Sequence, residues 1–182
     1  INLTVPVWQK KLAGRKVAGV KRIGKMIIVD LGTEALIFHL KMTGQLVYRQ
    51  HHDVFLGGHT LGKLDKLPNK WTHLSFSFSD DSELFFNDLR QFGYCHLVAK
   101  NAIKKYADKY GLEPLGDFPL TNFSKVIKSH PVLALKTFLL NQSFVGGIGN
   151  IYADEIAFAA GLKPERKIGT LKPADIKNLH KI

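Results

Sequence analysis

Apolar and polar residues alternate along much of the first hundred residues of the chain. The clearest alternation spans residues 74–78, where serines separate Leu74, Phe76 and Phe78, and a period of two is typical of a strand with one buried face. The turn signal Asp80-Asp81-Ser82 then leads into an apolar run at residues 84–86. Similar runs predict strands at residues 26–31, 35–40 and 45–49, and the stretch rich in Gly, Lys and His at residues 51–69 is predicted to be a long loop.

Beyond residue 101 the apolar spacing becomes that of helices. A short amphipathic helix is predicted at residues 102–110 and a connector at residues 111–116. Further helices are predicted near residues 122–129, 132–142, 150–160 and 173–182. The chain is therefore predicted to be of the α+β class, with a β-rich domain over residues 1–100 and a helical domain over residues 101–182.

A glycine-rich turn joins two of the predicted helices. Gly146, Gly147 and Gly149 permit positive φ and a close approach of other backbone. Asn150 is predicted to cap the second helix, which would leave its first N–H groups pointing outward toward an anion. From these residues alone, an ordinary helical hairpin and a phosphate-binding turn are both open.

The charge balance favours a polyanionic partner. The chain has 182 residues, with 26 Lys and Arg against 15 Asp and Glu, a net charge of +11 that is spread along the sequence. Neutralising phosphates releases counterions and supplies most nonspecific affinity for nucleic acid, although a solvated basic face without a partner remains the alternative. No run approaches the roughly 20 apolar residues of a membrane span, and we expect a soluble protein of the cytoplasm.

The chain contains one cysteine, Cys95, in an apolar stretch. One cysteine excludes an internal disulfide or a cysteine-rich zinc site within these residues. We expect Cys95 to pack as a small apolar side chain.

Four motifs in order along the chain resemble those of the formamidopyrimidine-DNA glycosylases. They are Phe38-His39-Leu40-Lys41-Met42-Thr43-Gly44-Gln45-Leu46, Asn87-Asp88-Leu89-Arg90-Gln91-Phe92-Gly93, Gly111-Leu112-Glu113-Pro114-Leu115, and the glycine turn. The form of the first motif is more similar to this branch than to the related endonuclease VIII branch. The resemblance extends over essentially the whole chain.

The resemblance implies a β-sandwich followed by a helix-two-turn-helix domain and a C-terminal zinc finger. It implies excision of oxidised purines, such as 8-oxoguanine and ring-opened formamidopyrimidines, and cleavage of the abasic strand by elimination. The implied partner is double-stranded damaged DNA, bound by a monomer that is associated with the nucleoid and not with a membrane.

Three residues match the positions that this family inserts into the duplex. In the family the residue at Met42 fills the space of the extruded base, the one at Arg90 faces the orphaned base, and the one at Phe92 wedges into the stack. An apolar wedge offsets lost stacking, and a guanidinium can donate to base acceptors. Without the motifs, Met42 and Phe92 would be interpreted as core residues at strand ends.

Four further residues match contacts to the DNA backbone. Lys25 resembles the catalytic-site lysine near the reacting sugar and its phosphate. His39 and Asn150 match phosphate-binding positions, and Lys136 matches another basic contact. The alternatives are a solvated surface role for either lysine and a simple N-cap for Asn150. Trp71 departs from the family, which commonly has histidine at this position.

The family's nucleophile, an N-terminal proline followed by a glutamate, has no match here, because the sequence opens Ile1-Asn2-Leu3. The sequence ends in a predicted helix, and no Cys-x-x-Cys pair of a zinc finger is present. We therefore expect a fragment that lacks the nucleophile and binds no metal or other cofactor. The alternatives are a noncatalytic paralogue that binds damaged DNA and a structural RNA-binding module, in which Met42, Arg90 and Phe92 would have no purpose.

Overall fold

The computed structural model describes residues 1–58 and 66–182. Contacts within the chain define two compact units. The first, Ile1–Lys21 with Met26–Lys100, is called the β-sandwich unit, and the second, Arg22–Lys25 with Asn101–Ile182, is called the helical unit.

The β-sandwich unit has one helix followed by two antiparallel sheets. One sheet has the order β1-β2-β3-β8 and the other the order β5-β4-β7-β6. The bounds are α1 Val5–Leu12, β1 Gly19–Ile23, β2 Met26–Asp30, β3 Glu34–His39, β4 Gly44–Gln50, β5 Asp53–Gly58, β6 Thr72–Ser77, β7 Glu83–Asp88 and β8 Tyr94–Ala99. Together with the helices that follow, these sheets confirm the α+β class and the β-sandwich.

Aromatic side chains fill the space between the two sheets. The Phe38 ring, on β3, lies 6.1 Å from the Phe76 ring and 5.9 Å from the Phe86 ring of the other sheet, in edge-on geometry. Trp8 of α1 is buried in the same cluster. Cys95 is buried there as predicted, and its burial raises the pKa of the thiol, so that it packs as an apolar group.

The helical unit packs short helices around its own apolar core. The bounds are α2 Ile103–Ala107, α3 Leu120–Lys128, α4 Leu135–Leu140, α5 Asn150–Ala159 and α6 Pro173–Lys181, with 3₁₀ turns at Lys100–Ala102 and Ile168–Thr170. Phe123, Phe138 and Leu135 are almost completely buried in this core. No helix among the described residues is long and apolar enough to cross a membrane.

Several elements differ from the prediction. The predicted loop at 51–69 contains the strand β5, which pairs with β4, and residues 59–65 of that loop lie outside the described residues. Helix α1 and the strands β1 and β8 were not predicted. Helix α4 begins at Leu135 and not near 132, because the Leu133 N–H closes a turn on His130 and the Leu135 N–H donates to the Arg166 carbonyl.

Candidate nucleic-acid interface

A buried carboxylate ties together two loops of the β-sandwich unit. Asp88, the last residue of β7, is 1% exposed. It accepts hydrogen bonds from the Thr43 hydroxyl and from the backbone N–H groups of Gly93, at 2.7 Å, and Arg90, at 3.2 Å. The Arg90 N–H also lies 3.1 Å from Thr43 Oγ1. The loop before β4 and the loop after β7 are thus fixed to one another.

The hydrogen bonds keep Asp88 ionised. Burial alone would raise the pKa of its carboxyl, but the bonds from Thr43, Gly93 and Arg90 outweigh burial, and the net result is a lowered pKa. An ionised acceptor also makes stronger hydrogen bonds to backbone N–H groups. Asp88 therefore acts as a charged anchor for both loops.

The two anchored loops bring Met42, Arg90 and Phe92 together at the surface. Met42 is 58% exposed and Phe92 is 53% exposed. Arg90 Nη1 lies 3.3 Å from Met42 Sδ, and the Arg90 guanidinium carbon lies 4.7 Å from the centre of the Phe92 ring. The interpretation of Met42 and Phe92 as core residues is therefore wrong. We call these three residues the exposed triad.

Backbone strain accompanies the triad. Lys41 has φ +55° and Gln91 has φ +58°, values that are uncommon for residues other than glycine. Each stands immediately before one of the two exposed apolar side chains. Such strain persists only where surrounding contacts determine the conformation, and the Asp88 anchor supplies those contacts.

His39 lies at the end of β3. The Lys41 backbone N–H donates to His39 Nδ1 at 3.1 Å. The ring lies 5.5 Å from that of Tyr94, which stacks on His96 at 4.6 Å. Trp71, where the family commonly has histidine, is half-buried with the Lys70 ammonium 4.5 Å from its ring centre.

In the helical unit, the glycine turn has a geometry that differs in part from the prediction. Gly147 has φ +88°, whereas Gly149 has φ −111° and directly precedes α5. Asn150 is the first residue of α5, and its side chain makes no capping hydrogen bond. The predicted cap is wrong because the helix begins one residue earlier: the Gly149 carbonyl already accepts the Ala153 N–H at 2.8 Å.

The side chain of Gln142 holds the turn from within. Its Nε2 donates to the carbonyls of Leu140, at 3.1 Å, and Ile148, at 2.8 Å, while its Oε1 accepts the Gly147 N–H at 3.1 Å. The Gly146 N–H donates to the Leu112 carbonyl of the connector at 2.7 Å. The turn is therefore closed by its own polar groups, and the start of α5 has a fixed position.

Two lysines lie close to α5 in different ways. A Cβ built on Gly149 would lie 3.2 Å from Lys25 Nζ, so the ammonium is beside the start of the helix. Lys136, on α4, instead pairs with Asp154 of α5 at 2.8 Å. The first turn of α5 contains no acidic residue. The Lys25 ammonium thus adds to the positive end of the helix dipole, an arrangement that favours an anion.

Some residues around the exposed triad and the glycine turn were not predicted as functional. Thr43, Asp88 and Glu113 were within the quoted motifs, and their hydrogen bonds became evident only in the fold. The Tyr110 ring packs on Gly24, and no pattern in the sequence indicated this contact.

Cys95 is buried in the β-sandwich unit. In the part of the chain that the structure describes, no group of three or more His, Cys, Asp or Glu side chains could hold a metal ion.

Two family models match the chain in succession. The formamidopyrimidine-DNA glycosylase N-terminal domain matches residues 2–95, and the formamidopyrimidine-DNA glycosylase H2TH domain matches residues 111–182. Both describe parts of one class of protein, the DNA glycosylases that join such an N-terminal domain to a helix-two-turn-helix domain. The chain belongs to the formamidopyrimidine-DNA glycosylase family.

Relatives and solved structures agree with this assignment. The formamidopyrimidine-DNA glycosylase of Enterococcus faecalis is 36% identical over 179 residues, covering 97% of this chain and 59% of that protein. That of Streptococcus mutans is 35% identical over 185 residues, covering 99% and 62%. Lactococcus lactis Fpg in complex with DNA containing an abasic site superposes with a TM-score of 0.79 at 30% identity, covering 97% of this chain and 61% of that one. The chain spans about three fifths of the length of these relatives.

Proposed function

We propose that this chain is the DNA-binding portion of a base-excision glycosylase with abasic-site lyase activity. Its substrate would be duplex DNA that carries oxidised purines such as 8-oxoguanine or formamidopyrimidine. The observation that carries the proposal is the exposed triad, in which two apolar side chains flank a guanidinium on loops fixed by Asp88. Solved Lactococcus lactis relatives in complex with abasic-site DNA and with DNA containing Fapy-dG support the choice of ligand.

The triad suits the physical problem of base extrusion. An enzyme that acts on a base within a duplex must turn the nucleotide out of the stack and fill the space. Met42 would occupy the vacated space, Phe92 would wedge between neighbouring bases, and Arg90 would donate to the orphaned base. Exposed apolar side chains cost free energy in water, and insertion into the stack would remove them from it.

The helical unit would hold the phosphate backbone. Lys25 and the N–H groups at the start of α5 would bind one phosphate beside the reacting sugar, which is the catalytic-site role proposed for Lys25. Asn150, exposed at the first turn of α5, would add a side-chain donor to the same phosphate. His39 would donate through Nε2 to another phosphate. Lys136 would contribute less, because Asp154 already neutralises it.

The phosphate contacts are tested by the salt dependence of duplex binding. Each phosphate neutralised by a cation contributes a slope of about −0.9 in log K against log salt concentration. Lys25→Ala is expected to flatten the slope by about this amount, and Lys136→Ala by clearly less. His39→Ala should also weaken binding, because it removes a side-chain donor to the proposed phosphate contact.

The matched control is Lys104→Ala, an exposed lysine of the helical unit that pairs with Asp108 and has no proposed contact. Equal slopes for Lys25→Ala and Lys104→Ala would remove Lys25 from the phosphate contacts. Including structured RNA as a competitor tests the partner, since RNA that competes as well as lesion duplex would contradict the proposal.

Lesion recognition is tested by binding to damaged and intact duplexes. Met42→Ala is expected to reduce the preference for the damaged duplex more than it reduces general affinity. Arg90→Ala should in addition weaken discrimination of the base opposite the lesion by about 1–3 kcal/mol, the contribution of one bidentate base contact.

Phe55→Ala is the control here, because Phe55 is an exposed apolar residue of the same unit, on β5. It should leave both preferences unchanged. If Met42→Ala weakened binding equally to damaged and intact duplexes, the role of the triad in base extrusion would be refuted.

A further inference from the structure

The turn that carries Lys25 contacts Tyr110 and Glu113, which lie between α2 and α3. Gly24, buried with φ +53°, lies against the Tyr110 ring, and a Cβ at this position would overlap ring atoms. The same ring also approaches Gly146, where a Cβ would lie 3.3 Å from Tyr110 Cδ1. One ring thus contacts both the Lys25 turn and the glycine turn that precedes α5.

We propose that Tyr110, with Glu113, is a positioning residue that sets where the Lys25 ammonium lies relative to the start of α5. This inference rests on the proposed function, in which that ammonium binds a DNA phosphate. It assigns to Tyr110 no contact with DNA of its own.

Glu113 also holds the turn that carries Lys25. Its Oε2 accepts the Gly24 N–H at 2.9 Å, and its two oxygens pair with the Arg22 guanidinium at 2.9 and 3.2 Å. Arg22 Nη1 in turn donates to the Gly24 carbonyl at 2.6 Å. Both polar backbone groups of Gly24 are therefore held, one by Glu113 directly and the other through Arg22.

Tyr110 acts on the next residue as well. The Lys25 backbone N–H is hydrogen-bonded to the Tyr110 hydroxyl. Burial raises the pKa of Tyr110, and the bond from Lys25 lowers it only in part, so that the pKa remains above its ordinary value. The phenol is therefore neutral at physiological pH. The ring fixes the position of Gly24, and the hydroxyl fixes the peptide that leads into Lys25.

This geometry explains why glycine stands at position 24. The left-handed conformation and the contact with the ring both exclude a side chain. Because these contacts fix the backbone of Gly24, they also fix the position of the Lys25 Cα, from which the lysine side chain extends. The 3.2 Å separation between Lys25 Nζ and a Cβ built on Gly149 follows from that starting point.

The experiment is a double-mutant cycle in duplex binding, measured as the slope of log K against log salt concentration. Tyr110→Leu is expected to flatten the slope by up to the 0.9 or so that one phosphate contact contributes. Adding Lys25→Ala to Tyr110→Leu should then change little, because the contact has already been lost. Tyr110→Phe keeps the ring and should retain most of the slope. Tyr106→Leu, a half-buried tyrosine on α2, is the matched control and should leave the slope unchanged.

Glu113→Gln supplies a second test whose sign separates positioning from bulk charge. Removing a negative charge should strengthen binding to a polyanion if only net charge matters. Positioning predicts the opposite, a weaker and less salt-dependent binding that Glu113→Asp partly rescues. Circular dichroism of each variant establishes that the helices are intact.

The outcomes separate this inference from the function on which it rests. If Lys25→Ala alone left the slope unchanged, the phosphate contact would be refuted, and the inference with it. If Lys25→Ala flattened the slope but the effects of Tyr110→Leu and Lys25→Ala simply added, or Glu113→Gln bound DNA more tightly, the positioning role alone would be overturned.

Discussion

Asp88→Ala is expected to lower the free energy of unfolding of the β-sandwich unit by about 2–4 kcal/mol. The substitution would leave the Thr43 hydroxyl and the backbone N–H of Gly93 without their acceptor in a buried site. It should also release the loops that carry the exposed triad. The preference for damaged duplex should then fall, as is expected for Met42→Ala. Both tryptophans, Trp8 and Trp71, belong to this unit, so urea unfolding followed by tryptophan fluorescence measures the effect.

The stabilisation by Asp88 should depend on pH in a defined direction. The folded pKa lies below the ordinary value of 3.8, so the stabilisation is complete above that value and is lost as the pH falls through the folded pKa. Asp88→Asn should therefore be less stable than the parent at neutral pH and should lose less stability on acidification. Asp53→Asn, at an exposed site on β5, should have little effect. A parent and an Asp88→Asn variant with the same stability at pH 7 would contradict the role of Asp88 as an anchor.

Gly111→Ala is expected to disrupt the helical unit, with a loss of more than about 3 kcal/mol or failure to fold. A Cβ at Gly111 would overlap the carbonyl oxygens of Ser143 and Phe144, which belong to the backbone and cannot rotate away. The connector and the glycine turn are joined at this point by bonds from the Gly111 N–H to the Gln142 carbonyl and from the Leu112 N–H to the Phe144 carbonyl.

Far-UV circular dichroism during thermal unfolding measures this loss of helix. The control is Gly116→Ala, in the same connector, where the nearest neighbour of a new Cβ is Glu113 Cγ at 3.4 Å. That variant should retain its helices and its melting temperature. If Gly111→Ala melted like Gly116→Ala, the contact between the two segments would not stabilise the unit.

The alternation of apolar and polar residues predicted some of the strands whose two faces differ in burial, but it did not identify β8, whose burial also alternates. It identified β4, β6 and β7 within a few residues of their bounds. It missed β5, because every residue of that strand is exposed and the strand is defined by its pairing with β4. Helix α1 was missed because it is only eight residues long and Trp8 is its one buried side chain, so that its apolar spacing extends over barely two turns.

The motifs predicted which side chains the loops present, but not what holds them. Met42, Arg90 and Phe92 come together as a set, and their positions depend on Asp88, whose burial cannot be read from spacing. The start of α5 was predicted to within one residue. That single residue decides whether Asn150 caps the helix or lies on its first turn, and propensity does not determine helix ends so closely.

The Arg22–Glu113 pair, separated by 91 positions in the sequence, also bears on the order of folding. Closing a loop of that length costs about 4 kcal/mol of chain entropy by the logarithmic law, and contacts of high sequence separation generally form late. The helices can therefore assemble before residues 22–25 arrive. The contact between residues 22–25 and Glu113 should be among the first to open during partial unfolding. The Gly24 amide should then exchange its hydrogen sooner than amides in the middle of α5.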